Sequence, residues 1–241
     1  MIHLINSFRF SVDHPLLIFI YLAVCLSSFP THILKSIGVI SPLISNIMLL
    51  ITSILGLYFI SGINYYIWNT FIEKNVSKEN FLNITKIYFK KFVSVLVFVL
   101  PIFAFSLFIV VITEKVIPNS MLIGMILRVV LFSINAILMT YMTSWIYVCD
   151  DKKYISNSLN FLFKHIIKFK EFILFVFIYN SINLSVNILY LQSHPVSQPN
   201  RWSVLLALNI LVYFCSLLAF LMSAQQIYTS ISANKSLQGA K

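Results

Sequence analysis

From Phe92 to Thr113 the chain reads FVSVLVFVLPIFAFSLFIVVIT, 22 residues without a charged group. A helix needs about 20 such residues to cross a hydrocarbon core of about 30 Å, so a run of this length fits lipid as its solvent. Backbone polar groups find no water there, and a helix is the single-segment structure that satisfies all of them internally. The pattern recurs: uncharged runs lie at 15–33, 41–68, 92–113, 130–149, 172–191 and 202–223. What remains between them is too short for a separate soluble domain. With 10% charged residues and a mean hydropathy of +0.91, the chain could not clothe a water-facing surface. The expected fold is all-α: a polytopic membrane protein of six transmembrane helices, forming one integral membrane domain over residues 1–241.

The first run, preceded by Arg9, has the outline of a secretory signal. The following SSFPTHILKS lacks a small-x-small cleavage pattern and five more runs come after it, so retention is expected. Lys and Arg stay on the cytoplasmic side of short loops. Of the 17, 13 fall before the first run, between the second and third, between the fourth and fifth, and after the sixth, whereas Lys35, Lys115 and Arg201 lie on the other side. Both termini are therefore expected inside. The net charge of +10 is then juxtamembrane, which suits anionic lipids. No nucleic-acid recognition motif accompanies it, and nucleic acid is not an expected partner. Richness in Ile, Lys, Asn and Phe is what an AT-rich bacterial genome yields, and a bacterial inner membrane is the expected location.

The two basic loops match at an offset of 78 residues: Phe81 falls on Leu159, Ile84 on Leu162, Lys86 on Lys164, Tyr88 on Ile166 and Lys90 on Lys168. At 100° per residue, Phe81, Ile84, Tyr88 and Phe92 share one helical face, with Lys86 and Lys90 opposite. The second loop sets Leu159, Leu162, Phe163 and Ile166 against Lys164 and Lys168. Each reads as a cytoplasmic amphipathic interfacial helix whose lysines meet lipid headgroups, an elbow before the next span. Ile2, Ile5, Phe8 and Phe10 offer a partial third copy. Three helix-hairpin repeats follow, at about 1–71, 79–149 and 157–229.

The segment YVCDDKKYISNSLNFLFKHIIKFKEFILFVFIYN closes one span with acidic residues, adds a short spacer, then runs a serine-containing amphipathic helix into the next span. In this, with IEKNVSKENFLNITKIYFKKFVSVLVFVLPIF and NSFRFSVDHPLLIFIYL, the chain resembles the membrane domain attached to some glycerophosphoryl diester phosphodiesterases and related six-helix bacterial membrane families. It lacks the Pro-Gly pair often found between their middle spans. The resemblance implies a fold and a membrane location and brings no active-site residues.

Ionisable groups inside spans are costly and mark function. None of the six runs contains Asp or Glu, which removes the usual carboxylate of a proton- or sodium-coupled carrier. Arg128 lies about two residues outside the fourth run, either as an interfacial arginine that snorkels or as a contact for an anion or headgroup. In the fifth run Asn180, Asn183 and Asn187 share one face. Their amides should turn inward, either to bond other helices, with Asn64, Asn135 or Asn209 as partners, or to line a polar cavity in the outer half of the bundle. The five His are scattered without metal-ligand spacing, and Cys25, Cys149 and Cys215 read as apolar packers. No nucleophile elbow, P-loop or zinc-protease motif occurs, so neither catalysis nor a cofactor is expected.

Two function classes remain. One is a non-catalytic accessory or membrane-organising subunit acting through lipids, or through a membrane-protein partner. The other is a permease or flippase-like carrier of a small or lipid-like substrate. The first is favoured, because neither a coupling carboxylate nor a nucleotide-binding segment is present.

Overall fold

The computed structural model describes residues 2–36, 38–74, 80–116, 121–149, 153–193 and 200–239, and every regular element among them is helical. In chain order these are α1 (Ile2–Asp13), α2 (Pro15–Cys25), α3 (Phe29–Ser36), α4 (Pro42–Phe71), α5 (Phe81–Val116), α6 (Met121–Val148), α7 (Tyr154–His165), α8 (Lys170–Ser193) and α9 (Asn200–Gly239). A 3₁₀ turn, Ile166–Phe169, joins α7 to α8. Among the described residues, five stretches are long and apolar enough to cross a membrane: Pro15–Lys35, Pro42–Phe71, Phe81–Thr113, Ile123–Val148 and Trp202–Ala233. The run at 172–191 falls within α8.

Local chemistry fixes several of the ends. Pro15 and Pro42 open α2 and α4, where a missing N–H costs nothing, and the Ser41 hydroxyl caps α4 by accepting from Ile44 N at 3.4 Å. Gly38, at φ 75°, ends α3 in a Schellman motif: Val39 N donates to Leu34 O at 3.1 Å and Gly38 N to Lys35 O at 3.3 Å. The end of α4 repeats this geometry without the glycine. There Lys74 N donates to Asn69 O at 3.0 Å, Glu73 N to Thr70 O at 3.1 Å, and Glu73 takes the left-handed position at φ 53°. Between α2 and α3 the first spanning stretch is interrupted because Pro30 has no N–H to offer Leu26 O, which accepts from Phe29 N at 2.9 Å instead.

Two boundaries differ from those expected. α5 begins at Phe81, so the first basic loop and the third run form one helix of 36 residues, about 54 Å long. Nothing between Phe81 and Phe92 breaks a helix. In the second basic loop α7 does end, at the 3₁₀ turn. α6 begins at Met121 rather than near 130, which sets Arg128 inside a candidate spanning stretch.

The chain packs into two compact units, Met1–Phe8 with Lys91–Asn187 and Ser216–Lys241, and Arg9–Lys90 with Ile188–Cys215. In the first, residues 141–147 of α6 are buried without interruption, as are 217–224 of α9. The Ser144 hydroxyl donates across to Phe220 O at 3.2 Å, and the Tyr147 ring meets that of Phe220 edge-on at 5.5 Å. In the second unit, α2 and α3 pack on α4. The other side of α4 meets the start of α5 through Tyr66 and Phe81, Tyr65 and Tyr88, and Tyr58 and Phe89, with ring centroids 5.7, 5.0 and 5.3 Å apart. Gly62 makes that crossing possible, because a Cβ there would lie 2.9 Å from the Phe81 ring and nearer still to the Thr85 hydroxyl. Outward faces stay apolar: nine of the 30 residues of α4 are buried, and Leu43, Ile47, Leu50, Ile51, Ile54 and Leu55 are among those left exposed. Apolar surface on that scale suits hydrocarbon.

Candidate functional site

The lysines of both basic loops, Lys86, Lys90, Lys164 and Lys168, are exposed. Behind the first pair the expected apolar face is turned into protein: Ile84 and Phe92 are buried, while Phe81 and Tyr88 make the aromatic contacts with α4. Leu82 and Ile87 remain exposed beside Lys86.

α7 is turned differently from the expectation. Its buried residues are Ser158 and Leu162, and Phe161 meets Trp145 of α6 at 5.2 Å and Phe169 at 6.3 Å. Phe163 is 68% exposed and Ile167 80%, flanking Lys164 and Lys168. The periodicity located a broad apolar arc. The indole of Trp145 determines which part of it is buried, by taking Phe161. The outcome is two short surfaces in which exposed apolar side chains and lysine ammonium groups alternate, a pattern that can lie at a lipid headgroup layer with the apolar groups dipping below it. His165 sits within this surface, its ring 4.6 Å from Phe161, and its pKa is held below the ordinary histidine value by desolvation, then by Lys168 and Lys164.

The candidate polar residues of the spans lie on four helices, α4, α6, α8 and α9. On α8, Asn180 and Asn183 are half-buried, and Asn180 Nδ2 has no partner among the described residues. Asn187 belongs to the same helix, but its side chain lies outside the described residues. Asn135 is on α6, where its amide Nδ2 donates to Ser106 Oγ of α5 at 2.9 Å and to Leu131 O at 2.8 Å. It also borders a cavity of about 340 Å³ between α5 and α6, whose other lining residues are apolar. Asn209 Nδ2 donates along its own helix to Leu205 O at 2.7 Å, and Asn64 is buried on α4. Arg128 is half-buried in α6, seven residues after Met121.

Two features were missed in the sequence. One is the polar content of the α6 and α9 core, where Tyr141, Trp145, Ser223 and Gln226 are all buried. The pair Gln225-Gln226 at the end of the last uncharged run was its visible signal. The other is a cavity of about 720 Å³ where α2 gives way to α3. It is walled by Phe29, Trp202 and Tyr213, holds Ser28 and Asn209, and has His32 and Lys35 at its exposed end. Phe29 and Trp202 meet edge-on with centroids 6.4 Å apart, and Lys35 Nζ donates to Asn46 Oδ1 of α4 at 2.9 Å. The sequence signal was SSFP, a proline about one turn before the end of what otherwise reads as an unbroken span. Compared with protein-family models, with curated proteins and with solved structures, the chain finds no match.

Proposed function

We propose that the chain is a non-catalytic multi-pass protein of a bacterial inner membrane, an accessory or membrane-organising subunit that acts through contacts with anionic lipids and a membrane-protein partner. The observation that carries this reading is the pairing of exposed Lys86, Lys90, Lys164 and Lys168 with exposed Leu82, Ile87, Phe163 and Ile167 on two segments, one forming the first turns of α5 and the other leading into α8. α8, at 24 residues about 36 Å long, is the sixth span in this reading. Both termini are then cytoplasmic, and the three hairpin repeats are α1 to α4, α5 to α6, and α7 to α9. The likeness to the membrane domains of glycerophosphoryl diester phosphodiesterases belongs to the same proposal.

Each juxtamembrane lysine contributes about 1 kcal/mol of attraction to an anionic surface. Replacing Lys86, Lys90, Lys164 and Lys168 by Gln should therefore strip co-purifying anionic lipid from protein extracted in mild detergent, as read by native mass spectrometry. Unchanged lipid retention in that variant would sink the proposal. The same spectra report any retained protein partner.

A second reading, a carrier of a lipid-like substrate, is favoured by the broken first span bordering the larger cavity, since carriers build binding sites at such discontinuities. It expects Asn183→Leu to abolish uptake or export while the folded protein stays in the membrane. Full transport by that variant would remove the asparagine face from the path.

A further inference from the structure

The cavity beside the α2–α3 break has a graded chemistry. On α3, Phe29, His32 and Lys35 recur every three residues and so lie along one side of the helix. On α9, Trp202, Leu205, Asn209 and Tyr213, spaced by three or four residues, likewise share one side. From Trp202 to Tyr213 the rise is about 16 Å, so the space is a slot along the helices rather than a spherical pocket. Its volume of about 720 Å³ is in the range of small-molecule sites. One end is buried at Cys25, whereas the end at His32 and Lys35 is exposed.

Charge distinguishes the two ends. The Lys35 ammonium is hydrogen-bonded to a neutral amide, Asn46 Oδ1, which fixes its position without cancelling its charge. None of the lining residues is acidic. A cation held at the mouth of an aromatic and aliphatic slot, in a stretch fit to span a membrane, matches a molecule with an anionic head and one apolar chain.

We infer that this cavity binds a single-chain anionic amphiphile, its phosphate or carboxylate at Lys35 and His32 and its chain along Phe29, Trp202, Leu205 and Tyr213. The inference rests on the membrane-spanning reading above but not on the basic interfacial surfaces. The two fail separately, because the variant with Gln at 86, 90, 164 and 168 should keep this binding.

The test is equilibrium binding of oleoyl lysophosphatidic acid to the full chain in maltoside detergent, followed by fluorescence, with oleoyl lysophosphatidylcholine and glycerol phosphate as probes lacking the net negative charge and the chain. Saturable binding of the anionic lipid is expected, weakened about tenfold by Lys35→Gln, whose exposed position leaves folding intact, and abolished by Leu205→Trp, which fills the slot. The zwitterionic lipid should bind more weakly and be indifferent to Lys35→Gln. Tight binding of glycerol phosphate alone would show a simple anion site and overturn the amphiphile. Absence of saturable binding, or equal affinity of wild type and Lys35→Gln for the anionic lipid, would overturn the site itself.

Discussion

Gly56 and Gly62 lie on the same helix, and the same substitution should act on them with opposite signs. At Gly56 an added Cβ would meet nothing nearer than Ser27 Oγ and Val24 O, both 3.7 Å away, which is ordinary van der Waals contact. Gly56→Ala should then keep the helix-propensity gain of up to about 1 kcal/mol. At Gly62 the Cβ would press on the Phe81 ring at 2.9 Å and on the hydroxyl of Thr85, which is fully buried and donates to Phe81 O at 2.7 Å. Overpacking of this kind costs about 1–3 kcal/mol, and with both contacts on α5 the helices must part. Subtracting the propensity gain leaves a net loss of up to about 2 kcal/mol, and because both variants share that gain they should differ by the overpacking cost itself, about 1–3 kcal/mol. For a chain of this size that is a separation in Tm of about 2–12 °C. Thermal unfolding in mild detergent, followed by intrinsic fluorescence, measures it on Gly56→Ala, Gly62→Ala and Gly62→Ala/Thr85→Ala. The double variant should recover at least half of the loss, because removing the Thr85 hydroxyl opens the space. A Gly62→Ala protein as stable as Gly56→Ala would refute the close crossing of α4 and α5.

Glu73→Gly should stabilise the end of α4 by about 1 kcal/mol, because φ 53° strains a residue with a Cβ, and the same unfolding assay reads it. The depressed pKa of His165 means that below the ordinary histidine value the unfolded chain binds more protons than the folded one. Stability should be complete above that value and fall as pH drops through the lower folded-state pKa, and His165→Asn should flatten the dependence below the ordinary histidine value. The bond from Asn135 to Ser106 predicts a coupling of about 0.5–1.5 kcal/mol in a Ser106→Ala, Asn135→Leu double-mutant cycle. A coupling near zero would detach Asn135 from the α5–α6 packing.

Helical class and the location of the spanning stretches were legible because both depend on local properties, uncharged length and end chemistry. Ser41-Pro42 marks the start of α4 in the sequence as plainly as in the structure. The face of Phe81, Ile84, Tyr88 and Phe92 was legible for the same reason, since periodicity states which residues share a side. It does not state which neighbour covers that side. In α7 the buried residues were Ser158 and Leu162, with Phe161 set against Trp145 of the preceding helix α6. Arg128 was placed outside its span by counting back from Cys149, and only the helix beginning at Met121 brings it inside. The cavity was illegible in a stronger sense. A void is what packing leaves between α3 and α9, and residues such as Trp202 and Lys35 look like ordinary interfacial anchors until the two helices are adjacent.

Whether the basic surfaces and the slot lie on opposite faces of the membrane can be measured directly. With Cys25, Cys149 and Cys215 replaced by Ala, single cysteines at Lys90, Lys164, Lys35 and Ser203 would be challenged with an impermeant maleimide on sealed cells and again after permeabilisation. Positions 35 and 203 should label in sealed cells, while 90 and 164 should label only once the membrane is opened. Labelling of all four from the outside, or of 90 and 164 alone, would contradict it.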